Sequence, residues 1–516
     1  MKNLKEWVLI IIGLISFNPI FAQESVSYLL PVAPNKDGAQ LTYSYTVQAP
    51  AQYQTKAAAF QKQIEQYIGQ EKLALTALDG IENLPDVVFI LDDSSAASKK
   101  MSESAKQRGA FIVCYPAKKA SAKKAFKFLK ERYYSGQRPV YSTLFTAGEG
   151  YNNYRIPSVI ATKNGTIIAF SEARAFGQDQ AENDIVARRS IDGGKTWGER
   201  VIVAEEGKSS LNNIVAIYLE NEDRILLIYQ RYPPKMREGM ARTNDGDYMR
   251  CYSIYSNDNG ETWGKPHEIT KELCPEGISQ FCTGPGIGIE VKYGPHKGRL
   301  IVPCNAVNPI WFNYLAYSDD KGETWQITKE HSSYGTNESQ VVQTGDNEFL
   351  INSRYHIYQN DTSYLAPKGW SPWQFAKVVR NRALTRVVLS DNASQWSETE
   401  SRKDIPDALC QGSIVRYSGL GDKKKSILLM SNSSSEYSYC NESEYPSKAP
   451  MRCNGSVRYS LDEGHTWSAP KRIYGNRFTE YQYSVLVPLA NNKVGCIFEA
   501  NEHIKFAVFD MEWLLK

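Results

Sequence analysis

Two patterns of apolar and polar positions divide the chain near residue 140. Before it, runs of two kinds alternate. Ala58, Ile64 and Ile68 recur on one face of a helix predicted over 54–68. Residues 86–92 and 110–115 are short apolar runs of the kind that form buried strands. Helical stretches are predicted at 97–108 and 121–134. Strand, helix, strand, helix in this order predicts a small α/β domain over 23–140. From residue 141 to 516 the pattern changes to short β-type runs separated by Gly, Asn and Asp turns.

Within that second region one short motif returns, Ser-x-Asp-x-Gly-x-Thr-Trp. It is carried by Ser190, Asp192, Gly194, Thr196 and Trp197, then by Ser256, Asp258, Gly260, Thr262 and Trp263. It returns as Ser318, Asp320, Gly322, Thr324 and Trp325, and as Ser460, Asp462, Gly464, Thr466 and Trp467, with a degenerate copy over 390–396. Successive starts are 62 to 72 residues apart. That interval suits one four-stranded propeller blade with long loops, and 141–516 then holds about six of them. The motif reads as structural: Asp bonds nearby backbone N–H groups, Gly takes φ > 0, and Trp is expected to pack the turn onto its own blade. A group used once in a reaction has no reason to be copied into every blade.

Composition narrows the class. Of 516 residues, 42% are hydrophobic and 23% charged, as in ordinary globular proteins. Net charge is only +3, so no global field favours nucleic acid. Residues 99–132 hold eleven Lys/Arg against two Glu, read as solvated helix faces, with docking of acidic glycans the sharper alternative. Lys2 and Lys5, the apolar run 7–17 and Ala22 read as an export signal cleaved to leave Gln23 first. The expected location is therefore outside the cytoplasm: periplasmic, cell-surface or secreted. No later segment is long and apolar enough to cross a bilayer. Nine cysteines in an exported chain allow disulfides, with Cys274–Cys282 and Cys440–Cys453 able to close short loops, though reduced thiols fit equally well. No metal-ligand motif occurs, so neither a catalytic metal nor a cofactor is predicted.

The repeats are similar to the Asp boxes of the sialidase superfamily. A more specific likeness lies in Tyr154, Arg155, Ile156 and Pro157, followed by residues 165–174, which resemble the Arg-Ile-Pro motif and first blade of bacterial sialidases. Residues 284–289, 337–340, 352–354 and 410–413 resemble further segments of that family, in its order. The resemblance covers 141–516 and implies an all-β six-bladed β-propeller catalytic domain carried with a small N-terminal α/β accessory domain. It implies exo-α-sialidase activity on terminal sialic acids of glycoproteins, glycolipids and oligosaccharides, most simply by a monomer.

That substrate is an anion at its reacting centre, because the anomeric carbon bears a carboxylate. Guanidiniums suit it, being always charged and offering paired planar donors. The resemblance maps such a triad to Arg155, Arg354 and Arg452, with Arg458 a rival to Arg452. A carboxylate nucleophile would be repelled by the substrate's own charge. A tyrosine avoids this, and sialidases are an established exception among glycosidases for that reason. The resemblance places this nucleophile at Tyr483, with Tyr481 the competitor, and its base at Glu338. It places the acid/base at Asp179, with Asp184 the runner-up. Glu499 would orient the first arginine of the triad, and Arg174 would line the pocket near the ring hydroxyls. The loops between 230 and 285 are expected to supply the N-acyl pocket. Two displacements imply retention of configuration. A transferase or intramolecular trans-sialidase using the same residues, and a silent sialoglycan-binding propeller, are the alternatives.

Overall fold

The computed structural model describes residues 139–516, except 239, 241–242, 279, 308–309, 356–380, 391–392, 420–424, 435–451, 476–479 and 516, and before them only scattered stretches between 25 and 124. The chain separates into two compact units, the second beginning at Gly136.

In the first unit four strands form one sheet. Ser25–Pro31 pairs antiparallel with Thr42–Gln48, which runs parallel to Val87–Asp92 and then to Phe111–Pro116. The last two are the strands predicted at 86–92 and 110–115. Helical residues 55–60 and 62–63 fall inside the helix predicted over 54–68. Parallel strands need crossovers of this kind. The predicted export signal at 1–22, most of the 121–134 helix, most of the basic run and Cys440 lie outside the described residues.

The second unit is a six-bladed β-propeller. Blade 1 is built from Asn153–Ala161, Ile167–Arg174, Asn183–Ser190 and Val201–Ala204, each antiparallel to the next. Blades 2 to 5 repeat this plan with innermost strands at Ser210–Leu219, at Phe281–Thr283 with Ile289–Glu290, at Thr336–Gly345 and at Ser413–Ser418. Blade 6 takes Ser484–Leu489, Lys493–Ala500 and His503–Asp510 from the end of the chain. Its fourth strand, Val140–Phe145, comes from the beginning of the unit. The ring is thus closed by pairing one end of the segment with the other, which leaves no open edge between first and last blade.

The core lies between the blades. Apolar clusters join blade 1 to blade 2, blade 2 to blade 3, and so round to blades 6 and 1. The repeated motif serves these seams, which corrects the expectation that its Trp packs on its own blade. Trp197 of blade 1 meets Phe506 edge-on and donates from Nε1 to Ser142 Oγ at 3.0 Å, both on blade 6. Trp263 of blade 2 meets Phe170 of blade 1 at 5.6 Å. Trp467 of blade 5 packs on a cluster shared between Leu350 and Leu384 of blade 4 and Leu428 and Met430 of blade 5. The physical reason is that the apolar surface needing cover at a blade's outer turn belongs to the neighbouring sheet. The Asp behaves as predicted: Asp258 accepts from the Thr262 N–H at 2.9 Å and Ser256 Oγ accepts from the Gly260 N–H at 2.9 Å.

Beneath one mouth of the ring the central channel is plugged. Gly286–Ile287 pairs in parallel with the innermost strand of blade 2. Ser158 Oγ donates to the Gly286 carbonyl at 2.5 Å. A Cβ at Gly286 would strike the Gln340 side chain, so only glycine fits where blades 1, 2 and 4 converge. Cys274 and Cys282 are unbridged: the Cys274 thiol donates to the Ile278 carbonyl at 3.1 Å, and Cys282 is buried beside Tyr232.

Candidate active site

Above the plug lies a cavity of about 530 Å³, of the size that encloses a small ligand. Every innermost strand starts at this mouth, and three of them carry a β-bulge there. The register slips between Arg155 and Ser158, between Asn212 and Val215, and between Thr336 and Ser339. Bulges re-aim side chains, and here they direct Arg155, Asn213 and Glu338 into the cavity. In blade 1 the slip falls on Ile156 at φ 52°, an unfavourable conformation for a β-branched residue, followed by Pro157, which has no N–H to lose. Glu499 holds it in place. Its Oε1 accepts from the Ile156 N–H at 2.7 Å, while its Oε2 accepts from Arg155 Nε at 3.2 Å and Nη2 at 3.1 Å.

Arg155, Arg174, Asp179, Glu338, Arg354, Arg452 and Tyr483 all line the cavity, with Glu499 behind Arg155. Arg354 ends the second strand of blade 4, and Arg452 precedes the third strand of blade 5. Tyr483 immediately precedes the innermost strand of blade 6. Its ring lies between two guanidiniums, 5.3 Å from Arg155 and 5.6 Å from Arg452 measured to the ring centre. Its hydroxyl donates to Glu338 Oε1. Arg354 Nη1 donates to Glu338 Oε2 at 2.9 Å and lies 3.4 Å from the Tyr483 oxygen. Burial, reinforced by the Glu338 charge, pushes the Tyr483 phenol well above its ordinary value, so it stays neutral until a base takes its proton.

Asp179 sits on the loop after the second strand of blade 1. Its Oδ1 accepts from Arg174 Nη1 at 2.7 Å and from Arg155 Nη1 at 3.4 Å. Partial burial raises its pKa, but Arg174 and Arg155 outweigh that and hold it below the usual carboxylate range. Arg174 is fully buried and also donates to Glu172 Oε2 through Nε at 3.0 Å and Nη2 at 2.6 Å. Glu172 further accepts from the Asn213 N–H at 2.8 Å. Burial pushes its carboxyl up to about 7 against the pull of Arg174. Glu172 went unnoticed in the sequence, although a Glu two residues before an Arg on one strand shares its face. Glu238, from the excursion after the second strand of blade 2, also reaches the cavity. Desolvation by the surrounding wall and the nearby Glu338 and Asp179 charges push it up to about 7.

Three of the four arginines have carboxylate partners among the described residues. Arg155 is paired with Glu499, Arg354 with Glu338, and Arg174 with Glu172 and Asp179. Among the described residues Arg452 donates only to the neutral Gln482 Oε1 at 2.9 Å and the Leu409 carbonyl at 3.0 Å. A partly buried guanidinium with neutral acceptors is a site that favours an anion.

The three rivals stand elsewhere. Asp184 accepts from the Tyr151 hydroxyl at 2.6 Å. Tyr481 is fully buried and packs against Phe498, ring centres 4.9 Å apart. Arg458 is buried and donates to Asn432 Oδ1 at 3.1 Å. None of them lines the cavity. From the region expected to supply the N-acyl pocket, Tyr232, Glu238, Gln280, Cys282 and Thr283 line its wall.

A ring of six blades stapled by repeated Asp-containing turns, with an arginine-lined cavity at one mouth, defines an Asp-box propeller. The chain belongs to the BNR repeat-like domain family, whose model matches residues 165–496. It is 29% identical over 386 residues to a sialidase of Micromonospora viridifaciens, covering 71% of this chain and 53% of that protein. It is 23% identical over 385 residues to a sialidase of Bacteroides fragilis, covering 70% and 63%. It is 28% identical over 412 residues to Sialidase-3 of Mus musculus, covering 72% and 93%. The chain thus spans about half to three-fifths of the length of the two bacterial relatives. Among solved structures it is similar to the Hadza microbial sialidase Hz136, with a TM-score of 0.58 at 22% identity over 73% of this chain and 69% of that one. It is also similar to the intramolecular trans-sialidase of Ruminococcus gnavus, with a TM-score of 0.55 at 18% identity over 72% and 98%. These similarities fit a bacterial sialidase. Among the described residues no helix is long and apolar enough to cross a membrane.

Proposed function

We propose that the protein is an exo-α-sialidase that hydrolyses terminal sialic acids from glycoconjugates with retention of configuration. The observation that carries this is the phenol–carboxylate pair of Tyr483 and Glu338 set among Arg155, Arg354 and Arg452, of which Arg452 has no carboxylate partner among the described residues.

The sugar carboxylate takes the open charge of Arg452 and shares Arg155 and Arg354. Each charge-assisted bond contributes about 1.5–3 kcal/mol. Occupation of Arg155 by that carboxylate also weakens its hold on Asp179 and adds a negative charge nearby. Both effects raise the Asp179 pKa and let it carry the proton that a general acid needs. Asp179 gives that proton to the glycosidic oxygen as the C–O bond breaks. The Tyr483 oxygen attacks the anomeric carbon while its proton passes to Glu338, which forms a glycosyl–tyrosine. Water then attacks the same carbon and loses its proton to Asp179. The phenolate leaves and recovers its proton from Glu338, so every group returns to its starting state. Glycosylated substrates outside the cell suit the export signal read in the sequence, and one chain suffices for the site.

The test is release of the reporter from a fluorogenic α-sialoside by the purified protein, with free sialic acid as the product. No release above a Tyr483→Phe control rejects the hydrolase. An anhydro sugar or a new glycoside as the main product favours the transferase readings.

A further inference from the structure

Asp407 is a fully buried carboxylate that the proposed chemistry does not use. It opens the turn 407–412, between the last strand of blade 4, Glu400–Pro406, and the innermost strand of blade 5, Ser413–Ser418. Every residue of this turn is buried, so its backbone groups must find partners inside the protein. At its centre Leu409 stands at φ 54°, a left-handed conformation that a leucine adopts only where its surroundings enforce it.

Asp407 does the enforcing. Its Oδ2 accepts from the Cys410 N–H at 3.1 Å, which clasps the turn across Leu409. Its Oδ1 accepts from Asn432 Nδ2 at 3.1 Å and lies 3.6 Å from Arg382 Nη1. Arg382 Nη1 also donates to the Cys410 carbonyl at 2.5 Å, so the Asp407–Arg382 pair fixes both backbone groups of Cys410. The clasped turn presents the Leu409 carbonyl to Arg452, whose Nη2 donates to it at 3.0 Å. That carbonyl and Gln482 Oε1 are what aim Arg452 among the described residues. The Tyr483 side of the turn has an anchor of its own. Gln411 Oε1 accepts from the Ser484 N–H at 2.9 Å, and Gln411 Nε2 donates to the Pro285 carbonyl at 3.3 Å, next to the channel plug. Loss of the clasp therefore falls on Arg452 and not on the nucleophile. We propose that Asp407 is a positioning residue: by locking the Leu409 turn it directs the Arg452 guanidinium at the carboxylate of the substrate. This rests on the sialidase reading.

The experiment is a double-mutant cycle on the full chain, read as kcat and KM for a fluorogenic sialoside. Asp407→Asn should raise KM about tenfold, the scale of the one charge-assisted bond it misdirects, and leave kcat nearly unchanged. In an Arg452→Gln background the same substitution should change KM little, because the group it aims is gone. A residue that only supports the fold gives the same loss in both backgrounds. Asp407→Asn strips Arg382 of this carboxylate, so a second variant disturbs the turn and leaves the charge. Leu409→Val keeps the position apolar but puts a β-branched residue at φ 54°. It should reproduce both the KM rise and its disappearance beside Arg452→Gln. Thermal melts check folding, and the cycle is read from whichever variant folds. Equal KM increases in the two backgrounds, no KM increase, or a loss confined to kcat overturns the proposal. If wild type releases nothing from the sialoside, the hydrolase reading fails separately. Calorimetric binding of free sialic acid to the same four proteins of the cycle then tests Asp407 by the same criterion.

Discussion

The Glu338 carboxylate is divided between Tyr483 and Arg354: one oxygen accepts from the phenol and the other from the guanidinium at 2.9 Å. The arginine holds the carboxylate in place, and the carboxylate keeps the phenol's proton within reach. The three groups therefore act as a unit, and their losses should not add.

Tyr483→Phe is expected to lower kcat by at least about 10³-fold, and Glu338→Gln by about 10²–10⁴-fold, as for loss of a general base. The double variant should be little worse than Tyr483→Phe alone. Steady-state rates on a fluorogenic sialoside check this. Multiplicative losses would mean that the two residues work independently.

Arg452 and Arg354 should separate in a stability assay. Arg452→Gln removes a cation that has no carboxylate partner among the described residues. Chemical unfolding should show no loss of stability, while KM for a sialoside rises about 10- to 100-fold, the equivalent of one charge-assisted bond. Arg354→Gln strips Glu338 of its partner and should cost about 1–3 kcal/mol of stability as well as activity.

The pH profile should respond to the cations around Asp179. A general acid works in its protonated form, so activity falls as pH rises through its pKa. Arg174 and Arg155 hold that pKa down. Removing Arg174 raises it, so the alkaline limb of kcat/KM should move to higher pH. Arg174→Gln is best combined with Glu172→Gln, so that no buried carboxylate is left unpaired. An unmoved alkaline limb in the double variant would remove Asp179 from the role of acid.

The repeated turns should matter for stability alone. Asp258→Ala deletes bonds to the Thr262 backbone and hydroxyl, and should cost about 1–2 kcal/mol by denaturant titration with unchanged kcat. A change in kcat would assign the turn a share in the site.

What was legible in the sequence was local. The Ser-x-Asp-x-Gly-x-Thr-Trp turns announce themselves because their hydrogen bonds close within five residues. Their Trp partners do not, because Trp197 meets Phe506 more than three hundred residues away. Tyr481 looked like a rival on the assumption that the Tyr483 strand already alternates there. The strand begins at Ser484 instead, and the Tyr481 N–H donates to the Arg452 carbonyl at 3.0 Å.

Closure of blade 6 by Val140–Phe145 bears on synthesis. Of the propeller's strands the ribosome delivers that one first and its partner, His503–Asp510, last. Until then the nascent chain carries an unsealed hydrogen-bonding edge, with Arg155 made long before the Glu499 that grips it. Such an intermediate invites association with other nascent copies. A product that stops short of residue 503 would leave that edge exposed for good and be a substrate for proteolysis rather than an enzyme with reduced output.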